Sequence, residues 1–225
     1  MLKAIIFDKD GVLIDSEIGK CTAMSRALVS FGHGKIKGFE DWFFSRVGVP
    51  GLESTEMCIE QFGLRGADPH AIYEKTESIR REMIENEPAP VIESSVAFLK
   101  SLPEDLKIGV ASSDFPDNIR KHMRQAGVLD YISVIISGEK SAREVERDKP
   151  YPDIYFATAK KLGVLPEECV AIEDTSPGIN AVRAAGMYCI GFRNPNSGEQ
   201  DYSDANCVTD NLTSILIQEL RDALS

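Results

Sequence analysis

The sequence predicts a doubly wound parallel α/β sheet with an all-helical insertion after its first strand. Three observations carry this. Short apolar runs alternate with helical patterns along most of the chain. Those runs are apolar throughout rather than at every second residue, as in strands covered by helices on both faces. One long segment, residues 16–87, holds no strand-like run.

Lys3 to Phe7 (KAIIF) is a short buried strand that stops at Asp8. After it, Ile18, Cys21, Met24, Leu28 and Phe31 recur at helical spacing, and Gly32 suits the helix exit. Thr55 to Phe62 and Pro69 to Glu85 also read as helices. The chain returns through Pro88-Ala-Pro90, a stiff linker. A helix over Glu93 to Ser101 leads to a second strand, Lys107 to Ala111 (KIGVA), which stops at Ser112. Asp117 to Ala126 is helical and Tyr131 to Ile136 (YISVII) is a third strand. The charged run Glu139 to Lys149 reads as a solvated loop or helix surface, with only Lys149 of functional interest. A helix over Asp153 to Leu162 precedes a fourth strand, Cys169 to Ile172, which stops at Glu173 and Asp174. The next helix, Pro177 to Ala185, has Ser176 as its expected cap, Pro177 in the first turn and Gly186 at the exit. Met187 to Phe192 is a fifth strand and Asn206 to Thr209 a candidate sixth. The expected division is a core of residues 1–15 and 89–225 with a helical cap of residues 16–88.

At roughly 150 residues per domain, a chain of 225 residues accommodates one large or two small domains. A composition of 43% hydrophobic and 27% charged residues excludes collagen-like, disordered and disulfide-scaffold classes. The net charge of −11 repels nucleic acid and anionic membrane, so neither is an expected partner. An anionic substrate would need positive charge supplied locally, by a metal, a placed Lys or helix N-termini. The five cysteines form no CxxC pair and share no zinc spacing with the three histidines. Reduced thiols in a cytoplasmic protein are expected. The N-terminus lacks a signal-peptide apolar region, and no run approaches the ~20 apolar residues of a membrane span.

Strands one, two and four stop at polar residues. In an open parallel sheet the carboxyl ends of the strands line the binding crevice. Asp8, Asp10, Ser112, Glu173 and Asp174 are therefore candidates for one site, and their oxygen donors suit Mg²⁺ and phosphate. In an extended chain Asp8 and Asp10 would leave on the same side. Two carboxylates so placed repel, and one tends to protonate unless a cation lies between them. Gly11 lets the backbone turn sharply beside a ligand.

FDKDGVLIDS (Phe7 to Ser16), VASS (Val110 to Ser113), KPYPDIY (Lys149 to Tyr155) and IEDTSPGINAVRAAG (Ile172 to Gly186) occur in that order. Together they resemble the haloacid dehalogenase (HAD) superfamily, in its helical-capped, β-phosphoglucomutase-like phosphatase branch. The resemblance covers nearly the whole chain and implies a Rossmann-like core. It implies that Asp8 is a nucleophile forming an aspartyl-phosphate and that Asp10 is the general acid/base, its backbone carbonyl a Mg²⁺ ligand. Ser112 matches the hydroxyl that holds a phosphoryl oxygen, with Ser113 beside it. Lys149 matches the cation that neutralises nucleophile and phosphoryl group. Asp174 matches the acidic metal ligand, with Glu173 a second ligand or outer partner. The superfamily's dehalogenases lack the second Asp and need no Mg²⁺, so Asp10 points to phosphorus chemistry.

The implied activity is Mg²⁺-dependent hydrolysis of a small phosphorylated metabolite by a monomer. The runner-up is a sugar-phosphate mutase. A phosphonate hydrolase, using a cap Lys such as Lys20, Lys35 or Lys37, and a non-catalytic phosphate-binding module are weaker rivals. β-Phosphoglucomutases carry a cap His where this chain has Lys20, and a cap Arg after a glycine loop where Arg46 here precedes Gly48. Their phosphate-gripping residues after the second-strand serine are replaced by Asp114, Phe115 and Pro116, and the loop from Gly138 to Lys149 is longer. These departures favour hydrolysis. Lys20 and Arg46 are the expected cap contacts to substrate, with Trp42, Phe43 and Phe44 as neighbours that either face the crevice or fill the cap core.

Overall fold

The computed structural model describes residues 1–225. Six strands form one sheet in the order β3-β2-β1-β4-β5-β6: β1 Ala4–Phe7, β2 Lys107–Ser112, β3 Val134–Ser137, β4 Cys169–Glu173, β5 Tyr188–Phe192 and β6 Cys207–Thr209. Every pairing is parallel. β1 lies between β2 and β4, with Phe7 level with Val110 and Ile172. This register brings the ends of the three central strands to one height.

Alternate residues of the central strands fill two separate cores. Ile5, Phe7, Val110 and Ile172 join Val96, Phe98 and Leu99 of α5 (Glu93–Ser101) and Ile119 and Met123 of α6 (Pro116–Gln125). Ala4, Ile6, Ala111 and Ala171 face the other way. They pack against α7 (Asp153–Leu162) and α8 (Ser176–Ala184). Burial on both faces is why these strands are apolar throughout. A short helix α9 (Ile217–Ala223) closes the first face through Leu220.

Between β1 and α5 the chain forms α1 (Glu17–Ser30), α2 (Phe39–Phe44), α3 (Gly51–Phe62) and α4 (Pro69–Asn86). Their shared core of Cys21, Met24, Ala27, Leu28, Phe39, Cys58 and Ile72 includes no strand residue. Asp68 caps α4 by accepting the amides of His70 and Ala71. The two connections to this helical unit run side by side. The Asp15 amide donates to the Pro90 carbonyl at 2.7 Å, and the Ile92 amide to Leu13 at 3.0 Å. No helix is long and apolar enough to cross a membrane.

Four local expectations are corrected. Thr175, not Ser176, caps α8. Its hydroxyl accepts the Gly178 amide at 3.3 Å, while the Ser176 hydroxyl donates to Gln200 at 3.0 Å. The third strand begins at Val134 because Leu129–Tyr131 is a short 3₁₀ turn that leaves Tyr131 exposed. α2 is an additional helix, too short to show a full apolar period. The run Glu139 to Lys149 is not simply solvated. The Glu144 carboxylate accepts the Ser137 amide at 2.6 Å, and Glu139 and Asp148 line the main cleft.

Ile6 is fully buried in the central strand, whereas Ile18 on α1 is mostly exposed. Ile6→Ala should therefore cost about 2–5 kcal/mol of stability. Ile18→Ala should stay within about 0.5 kcal/mol of the parent. Urea midpoints measure both, and equal losses would contradict this assignment of the core.

Candidate active site

β1 delivers Asp8 to the sheet's carboxyl edge, where its amide donates to the Ile172 carbonyl at 3.0 Å. The chain then turns tightly, with the Leu13 and Ile14 amides both donating to the Lys9 carbonyl. Gly11 makes this possible. Its φ is +80°, and a Cβ there would lie 1.9 Å from a carboxylate oxygen of Asp174. β4 brings Glu173 and Asp174 to the same edge. The first turn of α8 passes so close to Glu173 that a Cβ on Gly178 would meet its carboxylate at 2.1 Å.

Asp8, Glu173 and Asp174 are all buried, and one carboxylate oxygen from each falls within 4.8 Å of the others. Lys149 reaches in from the loop before α7. Its ammonium donates to Asp8, lies 2.6 Å from Glu173 and sits over the Tyr155 ring. The Tyr155 hydroxyl donates to Glu173 at 2.5 Å. Ser197 donates to Asp174, and the Asn194 amide group holds the Gly11 carbonyl at 3.0 Å.

One lysine does not balance three buried carboxylates. Burial pushes the Asp8 carboxyl up to about 7, opposed by Lys149 and reinforced by Glu173 and Asp10. Burial, then Asp8 and Glu173, hold the Asp174 carboxyl well above the usual carboxylate range. Lys149 is held well above its ordinary value because Asp8 and Glu173 outweigh the cost of its burial. A hard divalent cation between Asp8, Glu173 and Asp174 would offset the repulsion that raises Asp8 and Asp174, and an all-oxygen donor set suits Mg²⁺.

Asp10 faces elsewhere. It accepts from Ser16 and lies 2.9 Å from the Lys9 ammonium and 3.7 Å from that of Lys20. Burial alone would raise its carboxyl, but Lys20, Lys9 and Arg80 hold it well below the carboxylate range. The structure thus separates the neighbouring aspartates electrically, and only Asp8 joins the three-acid cluster. Ser112 is fully buried. Its hydroxyl lies 3.5 Å from Asp10 and accepts the Asp114 amide, while the exposed Ser113 lines the cleft.

The cleft encloses about 200 Å³ beneath the helical unit. Lys20, Phe43 and Arg46 line it, whereas Trp42 stacks on Phe39 and Phe62 within the helical core. Lys20 is paired with Glu17 at 2.6 Å, and Arg46 lies exposed at the rim. Phe44 packs edge-on against Phe43.

Several functional neighbours escaped the sequence reading. Lys9 is fully buried and binds Asp114 at 2.5 Å. Arg80 of α4 meets the same Asp114 oxygen at 2.8 Å and grips Glu77. His122 accepts from Lys9 at 3.4 Å. Burial, then Lys9, pushes its imidazole down to about 4, so the ring is neutral at pH 7. Lys9 lies inside a quoted motif and Asp114 stood out as a departure, but nothing local marked Arg80 or Ser197.

If Asp174 holds a divalent cation, Ser197→Ala should weaken Mg²⁺ affinity about 10–100-fold, as expected for loss of a hydrogen bond orienting a ligand. Calorimetric Mg²⁺ titration measures this, and an unchanged affinity would remove Ser197 from the metal's support.

The family model for haloacid dehalogenase-like hydrolases matches residues 2–186. YhcW of Bacillus subtilis (strain 168), whose phosphatase activity is itself a provisional assignment, is 30% identical over 225 residues, spanning 100% of this chain and 99% of that one. The fructose-1-phosphate phosphatase YqaB of Escherichia coli (strain K12) is 29% identical over 192 residues, spanning 84% of this chain and 95% of that one. The crystal structure of β-phosphoglucomutase from Clostridium difficile superposes with a TM-score of 0.74 at 26% identity, covering 100% of this chain and 97% of that one. With β1 and β4 presenting their acids at one edge of a parallel sheet, these matches establish that the chain belongs to the haloacid dehalogenase-like hydrolases.

Proposed function

We propose that this protein is a Mg²⁺-dependent phosphatase of small phosphate monoesters that works through an aspartyl-phosphate on Asp8. One observation carries the reading. The Asp8 carboxylate is held by Lys149 beside the Glu173–Asp174 pair, at the floor of a cleft roofed by α1–α4. On this reading residues 16–88 act as a cap over a core of residues 1–15 and 89–225.

Asp8, Asp174 and the Asp10 backbone carbonyl would hold the cation, with Glu173 as a further ligand or outer partner. When bound, Mg²⁺ supplies charge neutralisation at the nucleophile and the phosphoryl oxygens. An Asp8 oxygen attacks phosphorus and the bond to the ester oxygen breaks, with Asp10 giving its proton to the departing alcohol. Water then attacks the phosphoryl group, Asp10 takes its proton, and the Asp8–phosphorus bond breaks to release phosphate. Lys149 offsets the like charge of carboxylate and phosphate throughout. Ser112 and Ser113 border the path of the phosphoryl oxygens.

The electrostatics divide these two halves unequally. Asp10 is held as a carboxylate, ready to accept water's proton. For the first half it needs a proton of its own. Lys20, at 3.7 Å from Asp10, is its most distant ion-pair partner and is carried by the helical unit. Movement of the cap would release that contact.

Likeness to β-phosphoglucomutase keeps a mutase as the second reading. Against it, Lys20 is already committed to Glu17 and Asp10, and Arg80 to Glu77 and Asp114. Neither is free to grip the distal phosphate of a bisphosphate intermediate.

A panel of phosphorylated metabolites, assayed for free phosphate, tests the main reading. Chelation should abolish turnover and Mg²⁺ restore it. Asp8→Asn should be inactive, and Asp10→Asn should lose about 10²–10⁴-fold in rate. Radiolabel trapped on a Ser or His instead of Asp8 would overturn the mechanism.

With β-glucose 1-phosphate, Mg²⁺ and a trace of glucose 1,6-bisphosphate, free phosphate should exceed glucose 6-phosphate if the sugar is a substrate. Glucose 6-phosphate in large excess would establish the mutase instead.

A further inference from the structure

The cleft's charge is unevenly compensated away from the nucleophile. Nine acidic and four basic residues line it. Lys149 serves Asp8 and Glu173, and the three-acid cluster is where a cation fits. Deeper under the helical unit, the two remaining interior cations already have carboxylate partners. Lys20 is bound to Glu17, and Arg80 is bound to Glu77 and Asp114.

Asp114 stands at the centre of this arrangement. It immediately follows the β2 loop serines and is only 6% exposed, yet it borders the cleft. Its Oδ2 accepts from Lys9 at 2.5 Å and Arg80 at 2.8 Å. Its Oδ1 accepts the Phe115 amide at 2.8 Å and the Asn118 side chain at 2.9 Å. Both oxygens are therefore fixed, and the carboxylate cannot swing away from an arriving anion. Arg46, the fourth lining cation, is exposed and sits on a different wall. The loop it begins packs at Gly48 against Thr175 and Pro177 at the start of α8.

We infer that Asp114 is a specificity-determining residue that confines the substrate to monoesters whose alcohol carries no second anionic group. A second phosphate placed near Asp114 would face a fixed carboxylate and find Arg80 and Lys9 already taken. Such an anion would have to compete with Asp114 for those cations, which weakens its binding. A hydroxyl-rich neutral alcohol suits the same cleft, because only six of the 28 lining residues are hydrophobic and such an alcohol needs no free cation. This inference rests on the hydrolase reading of the cleft and adds to it the charge of the leaving group.

The test measures binding to the uncleaving Asp8→Asn protein in Mg²⁺ by calorimetry. Fructose 1-phosphate and fructose 1,6-bisphosphate are the probes. The bisphosphate should bind no tighter than the monophosphate. Adding Asp114→Asn should tighten the bisphosphate about tenfold or more, given the size of like-charge penalties, and shift the monophosphate by less than about threefold. Lys9→Leu with Asp114→Ser removes the buried pair as a unit and should move the ratio in the same direction, which guards against misfolding of the single variant. Tighter bisphosphate binding in the Asp8→Asn parent, or a ratio that Asp114 does not move, would overturn the inference. Tight bisphosphate binding abolished by Arg46→Gln would overturn it too, by placing recognition at the rim. Binding of neither probe counts against the substrate class inferred here. Failure of the hydrolase reading shows itself separately, as wild-type protein that releases no phosphate from any monoester.

Discussion

Carboxylates crowded at the ends of two adjacent strands, in a crevice with little water, repel one another strongly. Much of the polar architecture answers that repulsion. Lys149 is drawn between Asp8 and Glu173, Tyr155 donates to the same Glu173 oxygen, the Asp174 amide donates to the other, and Ser197 donates to an Asp174 oxygen. What the protein leaves uncompensated, at Asp8 and Asp174, is what a hard cation would complete. The fold makes the crowding unavoidable. β1 and β4 are direct neighbours in register, so acids one and two residues beyond Ile172 must meet the acid just beyond Phe7.

The same turn that presents Asp8 reverses the setting of Asp10. Two residues on, the carboxylate is surrounded by Lys9, Lys20 and Ser16 instead of other acids. Aspartates so close in sequence thereby carry opposite tendencies toward protons: burial and neighbouring acids raise Asp8, while Lys20, Lys9 and Arg80 lower Asp10. The helical unit takes part in this division. Lys20 and Arg80 both come from it, so its seating on the core sets the field at Asp10. Lys121 and Gln125 of α6 add contacts to Glu85, Ile84 and Glu87 at the end of α4.

Legibility in the sequence followed distance along the chain. Asp8, Ser112, Glu173 and Asp174 were readable as candidates because they end or directly follow apolar strands, and parallel sheets gather strand ends; Asp10 was readable from its spacing to Asp8 in the same motif. The helical unit was readable from periodicity alone. Arg80 and Asp114 lie 34 residues apart and Lys9 and Asp114 105 apart, and only the tertiary fold joins them. Ser197 is a small polar residue in a 3₁₀ turn, with no periodicity to mark it. The run Glu139 to Lys149 misled for the opposite reason. Its charge density suggests a solvated surface, yet Glu144 closes onto the end of β3 and Asp148 turns into the cleft. The α8 cap moved by one residue because Ser176 had a better partner in Gln200.

The position of β1 has a consequence for assembly. The strand that sits at the middle of the sheet leaves the ribosome ahead of both its neighbours, β2 beginning at Lys107 and β4 at Cys169. Its apolar run therefore waits for its first partner until about half of the chain is made and for its second until about three-quarters, because both pairings are non-local. The helices α1–α4, whose core is local in sequence, are complete long before that. Nascent chains would thus hold the helical unit on an unfinished sheet, and the cluster of Asp8, Glu173 and Asp174 would assemble only once β4 is made. A chaperone holding that apolar run during the interval would be guarding the segment that later delivers Asp8 to the acid cluster.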